Sequence, residues 1–163
     1  MVKQANKNDI PIIEEILLDA VNWMHSNGLE NQWDKSNIKW FNLSKQYKFS
    51  DFYIAYENNI PAACMALTDY DPTHWPDIPK GESLYLHKVA VKCLFAGKGL
   101  SKELIDFAKN KAHEFSIKTI RLDCNQHRNK LRAIYEKEGF VCVEEKTFLD
   151  TYDIALYVCN IKC

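Results

Sequence analysis

No stretch of this sequence stays apolar for long enough to cross a bilayer. Its first residues, Met1-Val2-Lys3-Gln4-Ala5-Asn6, lack the apolar core of a signal peptide, so a cytoplasmic location is expected. Neither sign of charge is in excess. The formal net charge is −1, and no global field draws the protein to nucleic acid or to an anionic membrane. Internal repeats, low-complexity tracts and linkers are missing. The six cysteines, Cys64, Cys93, Cys124, Cys142, Cys159 and Cys163, contain no Cys-x-x-Cys pair. Reduced thiols are therefore expected, with no metal ligands; Cys64, Cys124 and Cys142 sit in apolar or alternating runs where cysteine behaves as a small hydrophobe.

What is present fits one globular domain over residues 1–163, with 47% hydrophobic and 26% charged residues. Val2 to Ala5 reads as a short strand. Asn8 or Asp9 caps a helix with Pro11 in its first turn; Ile13, Ile16, Leu17, Ala20, Val21 and Met24 form one apolar face, and Asn27-Gly28 ends it. Leu29 to Trp33 is a loop, and residues 36–47 read as a second, weaker helix. Residues 51–56 and 60–67 are strands joined by Asn58-Asn59, a hairpin signal. Residues 69–82, with Pro72, Pro76 and Pro79, form a long loop. Residues 83–91 are a strand, 100–115 a helix, 119–124 a strand and 129–138 a helix closed by Gly139. Strands at 141–146 and 152–158 finish the chain. The order β, α, α, β, β, β, α, β, α, β, β implies an α/β fold: a mixed sheet with helices packed on it.

The junction at Gly97-Lys98-Gly99-Leu100-Ser101 stands out. Glycines between a strand and a helix bare backbone N–H groups, and the helix N-terminus adds partial positive charge, which suits a phosphate. Neither nucleotide motif fits. The dinucleotide fingerprint lacks its third glycine, and the P-loop lacks its upstream glycine, whose place Lys92 occupies. A purely structural turn is the other reading of this junction.

Leu84-Tyr85-Leu86-His87-Lys88-Val89-Ala90-Val91 running into Gly97-Lys98-Gly99-Leu100-Ser101 is similar to the acetyl-CoA motif of the GNAT acetyltransferase superfamily. Asn129 with Ala133 and Tyr135, then Gly139-Phe140, resembles its second cofactor segment. The early helix with Trp23, Gly28, Gln32 and Trp33 looks like the substrate side of small members. The chain departs from the pattern at Ala96, where a basic residue is usual, and at Ser101, where a glycine or alanine is usual; Lys98 and Lys102 are candidates to supply the lost charge.

The resemblance implies a mixed, mostly antiparallel GNAT-like sheet flanked by helices, and transfer of an acetyl group from acetyl-CoA to a primary amine by direct attack in a ternary complex. An alkylamine has a pKa of about 10 and must lose a proton before it attacks. Val89, Ala90 and Val91 would meet the pantetheine arm. Ala96, Gly97, Lys98, Gly99, Leu100 and Ser101 would hold the pyrophosphate, and Asn129 would contact the cofactor. Tyr135 matches the family's proton donor to the leaving thiolate. His87, at a place where some arylalkylamine-acetylating members carry histidine, is the candidate base, with Glu82 its competitor. Trp23, Gln32 and Trp33 are candidate acceptor contacts.

Bland readings stand beside these. Tyr135, four residues after Leu131, has the spacing of a core aromatic, and His87 that of a structural strand histidine. The acids Asp69, Asp71, Asp77 and Glu82 read as a solvated loop ahead of an attraction for cationic amines. The expected acceptor is a small-molecule amine. The alternatives are a protein or peptide N-acetyltransferase and a non-catalytic acyl-CoA-binding module. Pairing of the final strands would give a homodimer.

Overall fold

The computed structural model describes residues 1–29 and 33–162. Among them the chain forms β1 (Val2–Gln4), α1 (Ile10–Ser26), α2 (Trp40–Leu43), β2 (Phe52–Glu57), β3 (Ile60–Thr68), β4 (Leu84–Val91), α3 (Leu100–Glu114), β5 (Thr119–Asn125), α4 (Asn129–Lys137), β6 (Val141–Phe148) and β7 (Tyr152–Asn160). The sheet order is β1-β2-β3-β4-β5-β7-β6. β1 with β2, β2 with β3, β5 with β7 and β6 with β7 run antiparallel, and β4 with β5 runs parallel. This is the mixed, mostly antiparallel sheet with helices that the sequence implied.

Contacts fall into two compact units. The first comprises Met1–Ala66 and Lys88–Leu104. Before α1, the Asn6 side chain accepts from the Asn8 N–H while Asp9 accepts from the Asn6 N–H, a reciprocal cap. The helix buries Ile13, Ile16, Leu17, Val21 and Met24 with Ile38, Leu43, Phe52, Ile54, Cys64, Ala66 and Ala90. Each such fully buried aliphatic side chain contributes about 1.5–3 kcal/mol. Asn58 and Asn59, at φ 50° and 64°, make the expected left-handed hairpin turn.

The helix anticipated over residues 36–47 is α-helical only at Trp40–Leu43. The side-chain oxygen of Asp34 takes the N–H groups of Ser36 and Asn37, and that of Asn37 takes the N–H of Asp34. Short polar side chains have captured the donors that a helix start would use. Lys39 is extended and the Trp40 N–H donates to Glu14 Oε1 at 2.6 Å, so the helix begins there.

The second unit comprises Leu67–His87 and Ile105–Cys163. In β5, Ile120, Leu122 and Cys124 are buried and alternate with half-buried Thr119, Arg121, Asp123 and Asn125. In the segment at 69–82, Asp69, Asp77 and Glu82 are exposed, as the solvated reading has them, and Asp71 is the exception. Asp71 is 7% exposed, and its Oδ1 accepts from the N–H groups of Thr73 and His74. Trp75 is buried in a cluster with Tyr85, Ile154 and Leu156. An indole on that scale outweighs the loop's polar residues and ties it down.

Candidate active site

The glycine junction belongs to the first unit. Lys92 N–H donates to the Ala62 carbonyl at 2.9 Å, and Cys93 N–H donates to Asp19 Oδ2 at 2.7 Å, so β3 and α1 fix where β4 ends. A single 3-10 turn at Cys93–Phe95 buries Phe95. Gly97 and Gly99 follow at φ 78° and 79°, left-handed conformations that favour glycine. No atom lies within 4 Å of where a Cβ would sit on either, so backbone conformation selects glycine here and the space beside it is open. α3 then runs for 15 residues. Glu103 N–H donates to the Gly99 carbonyl at 3.0 Å, and a helix start aims its first N–H groups outward. Open space beside the glycines and a helix start fit a pyrophosphate. Glu103, the acid in that first turn, is paired with the N-terminal ammonium at 2.6 Å, which offsets its repulsion of an anion. Lys98 lies 3.9 Å from Glu57; Ala96 is exposed and brings no charge.

Inside β4, Lys88 adopts φ 53°, a left-handed residue in an extended strand and the backbone mark of a bulge. Its Nζ lies 4.9 Å from the centre of the Trp33 ring. The irregularity sits between His87 and Val89, inside the stretch read from the sequence as one strand over residues 83–91.

The second unit holds the polar cluster. β4 and β5 pair at Leu84 with Ile120 and Tyr85 with Arg121. Continuing that register by one side-chain repeat brings His87 level with Asp123 on the same face. Ligating atoms of Asp71, His87 and Asp123 all lie within 4.8 Å of one another. His74 Nε2 is 3.6 Å from Asp123 Oδ2, and the His74 ring packs on Phe148 at 4.8 Å. Asp71 Oδ2 and His74 Nδ1 are buried without a hydrogen-bond partner. Tyr85 lies beside His87, ring centres 6.4 Å apart and nearly parallel. Burial raises the Tyr85 phenol pKa against the lowering influence of Arg121.

Tyr135 is on α4 and buried, against Phe140 at 5.8 Å and Tyr157 at 6.3 Å. Burial, reinforced by Cys124 and Asp123 and opposed by Arg128, pushes its phenol far above the ordinary tyrosine range, so it keeps its proton. The helix is held by Arg132, whose Nε donates to the Tyr157 hydroxyl and whose Nη2 pairs with Glu145. Tyr157 in turn donates to Glu136. Asn129 opens α4 and is exposed.

Among the expected acceptor contacts, Trp23 is exposed near the end of α1 and Trp33 packs against the first unit's core. Gln32 lies outside the described residues. Glu82 is exposed ahead of β4. Sequence reasoning passed over Asp123 and His74, and set Asp71 in solvent. The one available signal was the polar row Arg121, Asp123, Asn125 on β5, which reads equally well as a wet face.

The sequence profile described as Acetyltransferase (GNAT) family matches residues 15–140. An uncharacterized N-acetyltransferase, YesJ, of Bacillus subtilis (strain 168) is 30% identical over 146 residues, covering 81% of this chain and 76% of that protein. A GNAT-family acetyltransferase structure from Listeria monocytogenes matches at TM-score 0.77 and 24% identity, over 98% of this chain and 94% of its own. The ribosomal-protein-S18-alanine N-acetyltransferase of Escherichia coli matches at TM-score 0.73 and 15% identity, over 100% and 94%. The chain belongs to the GNAT acetyltransferase family and is an N-acetyltransferase with acetyl-CoA as its donor.

Proposed function

We propose that the acceptor is the primary amine of a small molecule, attacked directly by way of a ternary complex. The observation that carries this reading is the burial of Trp75 with Tyr85, Ile154 and Leu156. It pins the 69–82 segment down, where an extended peptide would need an open groove.

Acetyl-CoA supplies an already activated thioester, so no covalent enzyme intermediate is needed and positioning carries much of the rate. Backbone groups of Val89, Ala90 and Val91 bind the pantetheine arm. The segment Ala96-Gly97-Lys98-Gly99-Leu100-Ser101 cradles the pyrophosphate, and Asn129 adds a side-chain contact. His87 takes the ammonium proton, with Glu82 as its competitor for that role. Tyr135 gives its proton to the departing thiolate; a phenol held protonated by burial is suited to that. Trp23, Gln32 and Trp33 contribute to the acceptor side.

Residues 1–163 act as one cytoplasmic domain. No helix among the described residues is long and apolar enough to cross a membrane. β6 ends the sheet order and exposes Val141 and Val143, which supports homodimer pairing along it.

The test is thiol release from acetyl-CoA with a panel of small amines and a panel of amino-terminal and lysine peptides. Turnover of small amines at least about tenfold above any peptide supports the reading. The reverse ranking assigns the chain to protein acetylation. Tight acetyl-CoA binding with no turnover of either panel makes it a binding module, the reading that uncharged Ala96 favours.

A further inference from the structure

We infer that Asp71, Asp123 and His87 form a receptor for one alkylammonium group, and that this receptor selects amines with no carboxylate beside the nitrogen. The inference rests on the acetyl-transfer reading and names its acceptor class.

Asp71 is the starting point. It is 7% exposed, its Oδ1 is used by two loop N–H groups, and its Oδ2 has no partner. A carboxylate oxygen buried without a donor is destabilising unless a cation or a proton completes it. Two cationic side chains of the same unit, Arg121 and His74, are engaged elsewhere. Arg121 donates from Nε to Ser83 Oγ at 3.0 Å and stacks on Trp75 at 4.7 Å. His74 Nε2 lies 3.6 Å from Asp123 Oδ2. Neither gives Asp71 Oδ2 a hydrogen bond, and a donor on a bound ligand would complete it.

Two cations come into question. Acceptors about 2.8 Å from an ammonium nitrogen, in tetrahedral directions, stand about 4.6 Å apart. Ligands about 2.1 Å from a tetrahedral zinc stand about 3.4 Å apart. The ligating atoms of Asp71, His87 and Asp123 all lie within 4.8 Å of one another, which admits the ammonium spacing. Asp71 forms the floor, and half-buried His87 and Asp123 form the rim. A primary ammonium carries three N–H donors, which the Asp71 and Asp123 carboxylates can accept. Two fixed carboxylates repel an α-carboxylate on the same ligand, so α-amino acids are disfavoured.

The experiment is an NMR-detected titration of the whole protein with pentylamine hydrochloride, with norleucine (the same skeleton plus an α-carboxylate), and with zinc chloride. It compares the wild type with Asp71→Asn and Asp123→Asn, alongside acetyl-CoA binding. Both substitutions keep side-chain volume, and the carboxamide oxygen introduced by Asp71→Asn can still accept from the loop N–H groups. Far-UV circular dichroism verifies folding, and each variant reads the receptor independently. The expected result is pentylamine binding about tenfold or more tighter than norleucine, weakened about tenfold or more by either substitution, with acetyl-CoA binding unchanged. Equal affinity for norleucine, or unchanged pentylamine affinity in both variants, overturns the inference. Zinc binding that both substitutions abolish, without an effect on pentylamine, overturns it in favour of a metal site. Turnover of amines without these binding effects leaves acetyl transfer standing and removes the receptor. The binding effects without turnover keep the receptor and remove acetyl transfer.

Discussion

Tyr85 on β4 stands opposite Arg121 on β5 in a parallel ladder, and the Arg121 guanidinium lies 4.7 Å from the centre of the Trp75 ring. The arginine thus links the strand pair that carries His87 and Asp123 to the loop that carries Asp71. A planar guanidinium stacks and donates to Ser83 at once, which a lysine ammonium does not. Arg121→Ala is expected to cost about 1–2 kcal/mol and lower the melting temperature by several degrees. It should also raise the acceptor KM by loosening residues 69–82. Arg121→Lys should not restore either property. Calorimetric melting and steady-state kinetics check both.

Lys88 separates two sequence alternatives by backbone conformation alone. Its φ of 53° is open to glycine and strained for a β-branched residue. Lys88→Gly should keep the fold and most activity, and Lys88→Val should lose about 1–3 kcal/mol of stability. Urea denaturation of the pair measures the difference.

The donor turn gives opposite predictions at neighbouring positions. Gly99→Ala has room for its methyl group but not the conformation, so acetyl-CoA KM should rise while acceptor KM holds. Ala96→Arg places a cation on an exposed site beside the turn and should lower acetyl-CoA KM about two- to fivefold at low salt, less at high salt. Initial rates against acetyl-CoA concentration at two ionic strengths test both.

Stability should fall at alkaline pH for an identifiable reason. Burial pushes the thiols of Cys64 and Cys124 up to about 12 from an ordinary value of 9.0. A raised folded-state pKa means the unfolded chain gives up its proton first as pH climbs. The contribution of these thiols is complete below pH 9 and is lost between pH 9 and 12. Urea midpoints at about pH 8, 10 and 11 should decline, and Cys64→Ala should flatten that decline while lowering the midpoint at the lowest pH through the lost packing.

Much of this molecule was legible in its sequence because local rules agreed with tertiary demands. Asn58-Asn59 needed left-handed turns and took them, and the apolar stripe of α1 found a core. Residues 36–47 misled because the side chains of Asp34 and Asn37 took the backbone donors that a helix reading leaves to carbonyls. The glycine turn was visible as a motif, since its chemistry is carried by contiguous backbone. The carboxylate cluster was not. Asp71, His87 and Asp123 are far apart in the chain and meet only through strand register and the burial of Trp75. The bulge at Lys88 left no trace either, because no glycine marks it.

Acetyl transfer to the amine is proposed to run with Tyr135 as the acid. Its most direct test is the rate of free thiol release from acetyl-CoA at saturating amine, for wild type and Tyr135→Phe. Removing one hydroxyl from a packed phenol should leave the melting temperature within a few degrees. In Tyr135→Phe, kcat should fall about 100-fold or more, with acetyl-CoA KM little changed. Equal kcat for the two proteins, at equal folding, would contradict it.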